Sequence, residues 1–127
     1  MKFKNDRLRK EWESDDLNVD LRRMVLCIEQ MLLSKYRYEP TITSIFRTQE
    51  EQDNYYGDRE DYQKKPWQSV HQFWRGVDLR NRDMSKEMID DIVFLNGIFI
   101  YDETRPHKRC IISHDIGKGD HIHCQTL

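Results

Sequence analysis

The sequence predicts an α+β fold: a small antiparallel sheet with helices packed on one side, in a single domain over residues 1–127. Three observations carry this reading. Leu17, Leu21, Met24, Val25, Ile28, Met31 and Leu32 recur at three- and four-residue steps, which puts them on one face of a long helix over residues 17–34. Short β-branched runs then alternate irregularly with helical segments, without an internal repeat. Finally, 127 residues, about a quarter of them Leu, Ile, Val or Phe, suffice for one core and leave little room for a second domain.

Taken in order, residues 1–13 are mostly charged and read as a loosely ordered lead-in or a short helix pinned by Trp12. Pro40 ends the first long helix, and residues 41–46 are rich in β-branched side chains, which suits a strand. Thr48 followed by Glu51 fits a capping box, in which hydroxyl and carboxylate each satisfy an orphan amide at a helix start. Residues 53–69, polar and aromatic with Gly57 and Pro66, read as a long excursion. A second strand is expected over 73–79. A second helix is expected over 85–96, capped by Ser85, with Met88, Ile92 and Leu95 inward and Gly97 stopping it. Residues 110–114 and 121–125 read as strands flanking Gly117-Lys118-Gly119, a hairpin.

Composition narrows the function. The 35% of charged residues is high, but 21 basic and 23 acidic side chains leave a net charge of −2. A nucleic-acid backbone binder needs a clustered positive surplus, so no nucleic-acid partner is expected. No apolar run approaches the length of a membrane span, and the charged start is unlike a signal peptide, so a soluble chain without membrane insertion is expected, cytoplasmic as synthesised. Cys27, Cys110 and Cys124 form no Cys-x-x-Cys pair and are odd in number, which implies reduced thiols. Monomer is the expected state.

Histidines and carboxylates cluster in two stretches, Ser69 to Asp78 and Asp120 to His123. Two imidazoles and a carboxylate are enough for a catalytic zinc, which uses three protein ligands and leaves the fourth position to water. A lone His or Asp in a strand is ordinarily structural; His-x-His is a better signal, because residues two apart share a strand face. The offset of seven between His71 and Asp78 would put them on opposite faces of a regular strand, so the chain must bend between them. By the same parity, Asp120 must lie in the turn after Gly119 to join His123.

These residues resemble a known family. Ser69-x-His71, an Asp78 seven residues after the histidine with Arg75-Gly76-Val77 before it, and Asp120-x-x-His123 near the end look like the M15 zinc peptidases. That family includes D-Ala-D-Ala carboxypeptidases, phage L-alanyl-D-glutamate endolysins and the related hedgehog-type domain. Residues 43–48 followed by Gln52 also resemble the family's strand-to-helix segment, whose arginine and glutamine face the substrate. The resemblance spans residues 43 to 123 and implies a hedgehog/DD-peptidase-like fold. It makes His71, Asp78 and His123 ligands of Zn2+ and Asp120 the catalytic acid/base. Arg47 would bind the substrate carbonyl or carboxylate, Gln52 would assist, and Ser69 would contact substrate or support the ligands. His121 shares a face with His123 and would line the cleft, or become the ligand under a shifted register; only His123 leaves Asp120 in the Asp-x-x-His relation.

The implied activity is hydrolysis of a peptide bond in peptidoglycan stem peptides by a phage or prophage enzyme, acting on the wall after release or as part of a virion. The alternative is a non-catalytic metal-binding structural or virion-associated module with the same fold. Two departures stand out: Trp74 where the family usually has Gly, expected to narrow the cleft, and Gly76 where it usually has Ala. Trp67 and Trp74 are core or cleft walls; Tyr55, Tyr56 and Tyr62 belong to the long excursion and either cover the cleft or are ordinary exposed loop aromatics. His107 is expected to be exposed and His114 to make a hairpin contact, while Cys124 should face away from His123 and pack as a small apolar residue.

Overall fold

The structure, a computed structural model, describes residues 1–115 and 120–127, with the backbone alone for residues 114, 115 and 120. The charged start is ordered. Strand β1 (Lys2–Phe3) leads into α1 (Asp6–Glu13), whose first turn is capped by Asn5 accepting from the Leu8 amide. Leu8 is buried, and Trp12 packs against the core beneath the Arg22 guanidinium, 5.3 Å from its ring centre. Of the two readings for residues 1–13, the pinned helix is the one that forms.

Helix α2 (Val19–Tyr36) follows, capped by Asn18 and ended by Arg37 in the left-handed region at φ 54°. Its buried face is Leu21, Met24, Val25, Ile28 and Leu32, the stripe that periodicity predicted. Strand β2 (Thr41–Ser44) comes next, then α3 (Gln49–Tyr56), whose start carries the predicted Thr48–Glu51 capping box. The stretch expected as one excursion is partly helical. Helix α3 runs into it and α4 (Glu60–Lys64) lies within it, its Tyr62 buried in a cluster with Tyr56 and Trp67.

The second strand is shorter than predicted. Residues 70–73 form a single 3₁₀ turn, and β3 (Gly76–Arg80) begins only after it. Helix α5 (Lys86–Phe94), capped by Ser85, runs into one 3₁₀ turn that ends at Gly97. Strands β4 (Ile111–Asp115) and β5 (Asp120–Gln125) pair antiparallel, as a hairpin requires; the turn assigned to Gly117-Lys118-Gly119 lies outside the described residues.

The sheet order is β1-β2-β3-β5-β4. It is antiparallel from β2 through β4, as expected, and β1 adds a parallel edge beside β2. One face buries Ile42, Val77, Leu79, Ile111, Ile122 and Cys124 in the core that α2 covers. Burying each large aliphatic side chain stabilises the fold by about 1.5–3 kcal/mol, so a one-residue slip of β3 or β5 would forfeit several at once. That fixed parity turns Asp78, His121, His123 and Gln125 to the opposite face.

Cys27, Cys110 and Cys124 are free thiols, and burial pushes the Cys124 thiol up from its ordinary range, in keeping with an inert packed residue. Among the described residues, no helix is long and apolar enough to cross a membrane.

Candidate metal centre

The bend between His71 and Asp78 has a specific construction. Ser69 caps the 3₁₀ turn: its Oγ accepts from the His71 amide at 3.3 Å, while its own amide donates to Gln72 Oε1 at 2.9 Å. Trp74 closes the turn in the left-handed region at φ 59° and reverses the chain. An L-residue there costs about 1–2 kcal/mol, which is why glycine is the ordinary choice. Trp74 offsets this by stacking on Phe46, with ring centres 4.6 Å apart and planes 13° apart. Its ring sits in a hollow with Arg7, Lys10, Glu11 and Ser14, which none of the histidines lines, and it is absent from the lining of the hollow over the histidines. The expectation that it narrows the cleft does not hold; the left-handed backbone directs it away.

Gly76 then lets the returning strand touch the turn. A Cβ on it would lie 2.8 Å from Val70 Cγ2 and 3.1 Å from His71 Nδ1, so the absence of a side chain gives the His71 ring its place.

Three candidate ligands converge. In the β3–β5 register Asp78 stands directly opposite His123. Asp78 Oδ2 lies 3.3 Å from His71 Nε2, and Oδ1 lies 2.8 Å from His123 Nδ1. One ligand atom from each of the three residues lies within 4.8 Å of the others, so this group can hold a metal ion. His121 also faces Asp78, its Nε2 3.7 Å from Oδ1.

Each imidazole is oriented from behind. His71 Nδ1 lies 2.8 Å from the Ile45 carbonyl, which can only accept, so Nδ1 carries the proton and the Nε2 lone pair points to Asp78. His123 Nε2 lies 3.2 Å from Gln125 Oε1, and Gln125 Nε2 donates to the Arg109 carbonyl at 2.7 Å, which fixes the amide with its oxygen toward the ring. His123 thus keeps its proton on Nε2 and turns the Nδ1 lone pair to Asp78. Two lone pairs and a carboxylate meeting in one place need positive charge between them, either protons or a cation. Backing of metal-ligating histidines by carbonyl oxygens is how such ligands are held in orientation. Asp78 itself is buried, which pushes its carboxyl up; when protons occupy the two ring nitrogens that face it, the charge of His71 and the hydrogen bond from His123 outweigh burial and hold it well below the usual carboxylate range.

A hollow of about 230 Å³ opens over these residues, lined also by Arg47, Trp67 and Ser69. Arg47 is buried, stacks 4.4 Å over the Tyr55 ring and donates from Nη1 to Gln52 Oε1 at 2.9 Å. Gln52 is fully buried and donates in turn to the Trp67 carbonyl at 3.2 Å, so it reaches the site through Arg47. Tyr56 and Trp67 wall this hollow, Tyr55 lines a larger neighbour, and Tyr62 is occupied with Asp53, to which its hydroxyl donates at 2.6 Å.

Comparison with protein-family models, with curated proteins and with solved structures gives no match in any of the three. The site therefore stands on its own geometry.

Of the residues singled out in the sequence, the structure brings His71, Asp78 and His123 together and sets Arg47, Ser69 and His121 around them. Asp120 is not in a turn: its backbone is the first residue of β5, paired with Asp115, because the hairpin ladder continues one pair further than expected. Its side chain lies outside the described residues, as does that of His114. His107 is exposed, as expected. Sequence reasoning missed Gln125 and the Ile45 carbonyl. Gln125 had a signal, since the strand parity that aligned His121 with His123 reaches one step further to residue 125; a backbone carbonyl has none.

Proposed function

We propose that the chain is a zinc-dependent peptidase that hydrolyses a peptide bond in bacterial peptidoglycan stem peptides, in the manner of the M15 peptidases it resembles. The observation that carries this reading is the convergence of His71, Asp78 and His123 at the floor of a cleft, with Arg47 held in its wall. Two imidazoles and one carboxylate are the ligand type of catalytic zinc sites, which keep a coordination position open. A zinc ion bound there would supply Lewis acidity and make water acidic enough to act as a nucleophile near neutral pH.

The protein's own groups have distinct tasks. The Ile45 carbonyl and Gln125 hold the two imidazoles in the tautomers that metal binding needs. Arg47 lines the cleft, where its guanidinium suits a substrate carbonyl or carboxylate oxygen. Ser69 sets the turn that presents His71. The family resemblance gives Asp120 the role of taking a proton from the attacking water and giving it to the leaving amine, a contribution of about 10²- to 10⁴-fold; because Asp120 begins β5 rather than lying in the turn, that role requires its carboxylate to leave the strand's alternation.

The test uses zinc-loaded protein and purified peptidoglycan. New amino groups should appear, and a chelator should stop their release. Asp120→Ala should keep the metal and lose turnover, whereas His71→Ala and His123→Ala should lose both. Metal binding without any amino-group release would leave a structural metal module instead, and full activity in Asp120→Ala would remove the assigned acid/base.

A further inference from the structure

Beside the metal centre lies a second hollow of about 650 Å³, which shares Arg47, Asp78 and His121 with the first. Its wall is strongly basic: Lys4, Arg80 and Arg82 join Arg47 there. This is a local inversion in a chain whose net charge is −2. The fold gathers the cations from separate elements. Arg80 lies on the same face of β3 as Asp78 and opposite His121 in β5, and Lys4 follows β1, with its amide bound to the Ile42 carbonyl at 3.0 Å.

Among the described residues, the acids nearby are already engaged. Both Glu51 oxygens accept from Arg7 at 2.8 Å, Asp78 faces the histidines, and Asp83 accepts from the Tyr38 hydroxyl at 2.6 Å. Lys4, Arg80 and Arg82 form no ion pair with any described residue. Like charges held in one concavity repel one another and focus a positive potential, which an entering anion relieves.

We propose that this hollow is an acidic-group subsite, in which Lys4, Arg80 and Arg82 hold a carboxylate of the peptide whose scissile bond lies over the His71–Asp78–His123 centre. The assignment of a peptide rests on the peptidase reading; the capture of a carboxylate does not. The carboxylate can come from an acidic side chain or from a free chain terminus. In either case it accepts charge-assisted hydrogen bonds from the two guanidiniums, and replacing it by an amide should weaken binding about tenfold. The hollow is open to solvent, so the preference should shrink as salt rises from about 0.05 to 0.5 M.

The experiment is an NMR titration of the metal-loaded chain at low salt with three probes: N-acetyl-Ala-Ala-Glu amide, N-acetyl-Ala-Ala-Ala as the free acid, and N-acetyl-Ala-Ala-Gln amide. At least one acidic probe should bind about tenfold tighter than the uncharged one, and the tighter of the two names the source of the carboxylate. In the Arg80→Gln/Arg82→Gln double variant the gap should close with metal content unchanged, while Lys86→Gln, outside the hollow, should leave it intact. Equal binding of all three probes, survival of the gap in the double variant, or tighter binding of a short oligonucleotide than of either acid would overturn the proposal. A gap that persists in a wild-type protein unable to cut peptidoglycan would instead sink the peptidase reading and leave the subsite standing.

Discussion

Replacing Gln125 by Met removes one acceptor and one donor while leaving the volume nearly unchanged, so the effect is confined to polar contacts. Two contacts are lost: Gln125 Oε1 to His123 Nε2 at 3.2 Å and Gln125 Nε2 to the Arg109 carbonyl at 2.7 Å. Loss of a buried neutral hydrogen bond costs about 0.5–1.5 kcal/mol, and a partner left without one adds to it, so stability should fall by about 1–2 kcal/mol. The metal site should lose more than its share. Without the oxygen behind it, His123 is free to take the other tautomer, and removing such a supporting group ordinarily costs 10- to 100-fold in metal affinity, about 1.4–2.7 kcal/mol. Zinc affinity by competition against a chromophoric chelator, with thermal unfolding in excess EDTA as the folding control, separates the two effects. Gln125→Glu keeps an acceptor for His123 but sets an oxygen against the Arg109 carbonyl, so it should retain zinc affinity while losing stability. A folded Gln125→Met protein with zinc affinity within about twofold of wild type would refute the reasoning.

Three further outcomes follow from the same geometry. Gly76→Ala places a methyl 2.8 Å from Val70 Cγ2 and 3.1 Å from His71 Nδ1, so it should displace the His71 ring and lower zinc affinity; affinity equal to wild type by chelator competition would show that the turn yields freely. Trp74→Gly relieves about 1–2 kcal/mol of left-handed backbone cost but loses the Phe46 stack and the packing beneath it, for a net loss of about 1–3 kcal/mol in denaturant unfolding with zinc affinity unchanged. The hydrogen bonds from Arg7 lower Glu51 to about 2 from 4.5, so the pair's contribution is present above pH 4.5 and lost as pH falls to about 2. Because Glu51 is partly exposed the contribution is under about 1 kcal/mol; Glu51→Gln keeps a helix-capping side chain, and its stability difference from wild type should vanish across that window.

Much of this was legible in the sequence, for physical reasons that differ by element. The α2 stripe and the Thr48–Glu51 box are local patterns, and both appear where predicted. The cross-strand meeting of Asp78 with His123 follows from parity once Val77, Leu79, Ile122 and Cys124 claim the core face. The bend that parity demanded between His71 and Asp78 was foreseen, but its means were not. A tryptophan in a left-handed backbone runs against local preference and is held by its stack on Phe46, a contact between residues far apart in sequence. The Ile45 carbonyl behind His71 is likewise invisible, because any residue supplies that oxygen. Arg47 and Gln52 were readable only through family resemblance; their shared hydrogen bond and the Tyr55 ring beneath the guanidinium depend on tertiary packing.

The most direct test of the metal centre is a ¹⁵N NMR titration of the histidine side chains with zinc. The signals should saturate at one ion per chain. His71 Nε2 and His123 Nδ1 should shift as ligands, while the protons stay on His71 Nδ1 and His123 Nε2. A titration that never saturates, or one in which His121 shifts as the ligand in place of His123, would contradict the site described above.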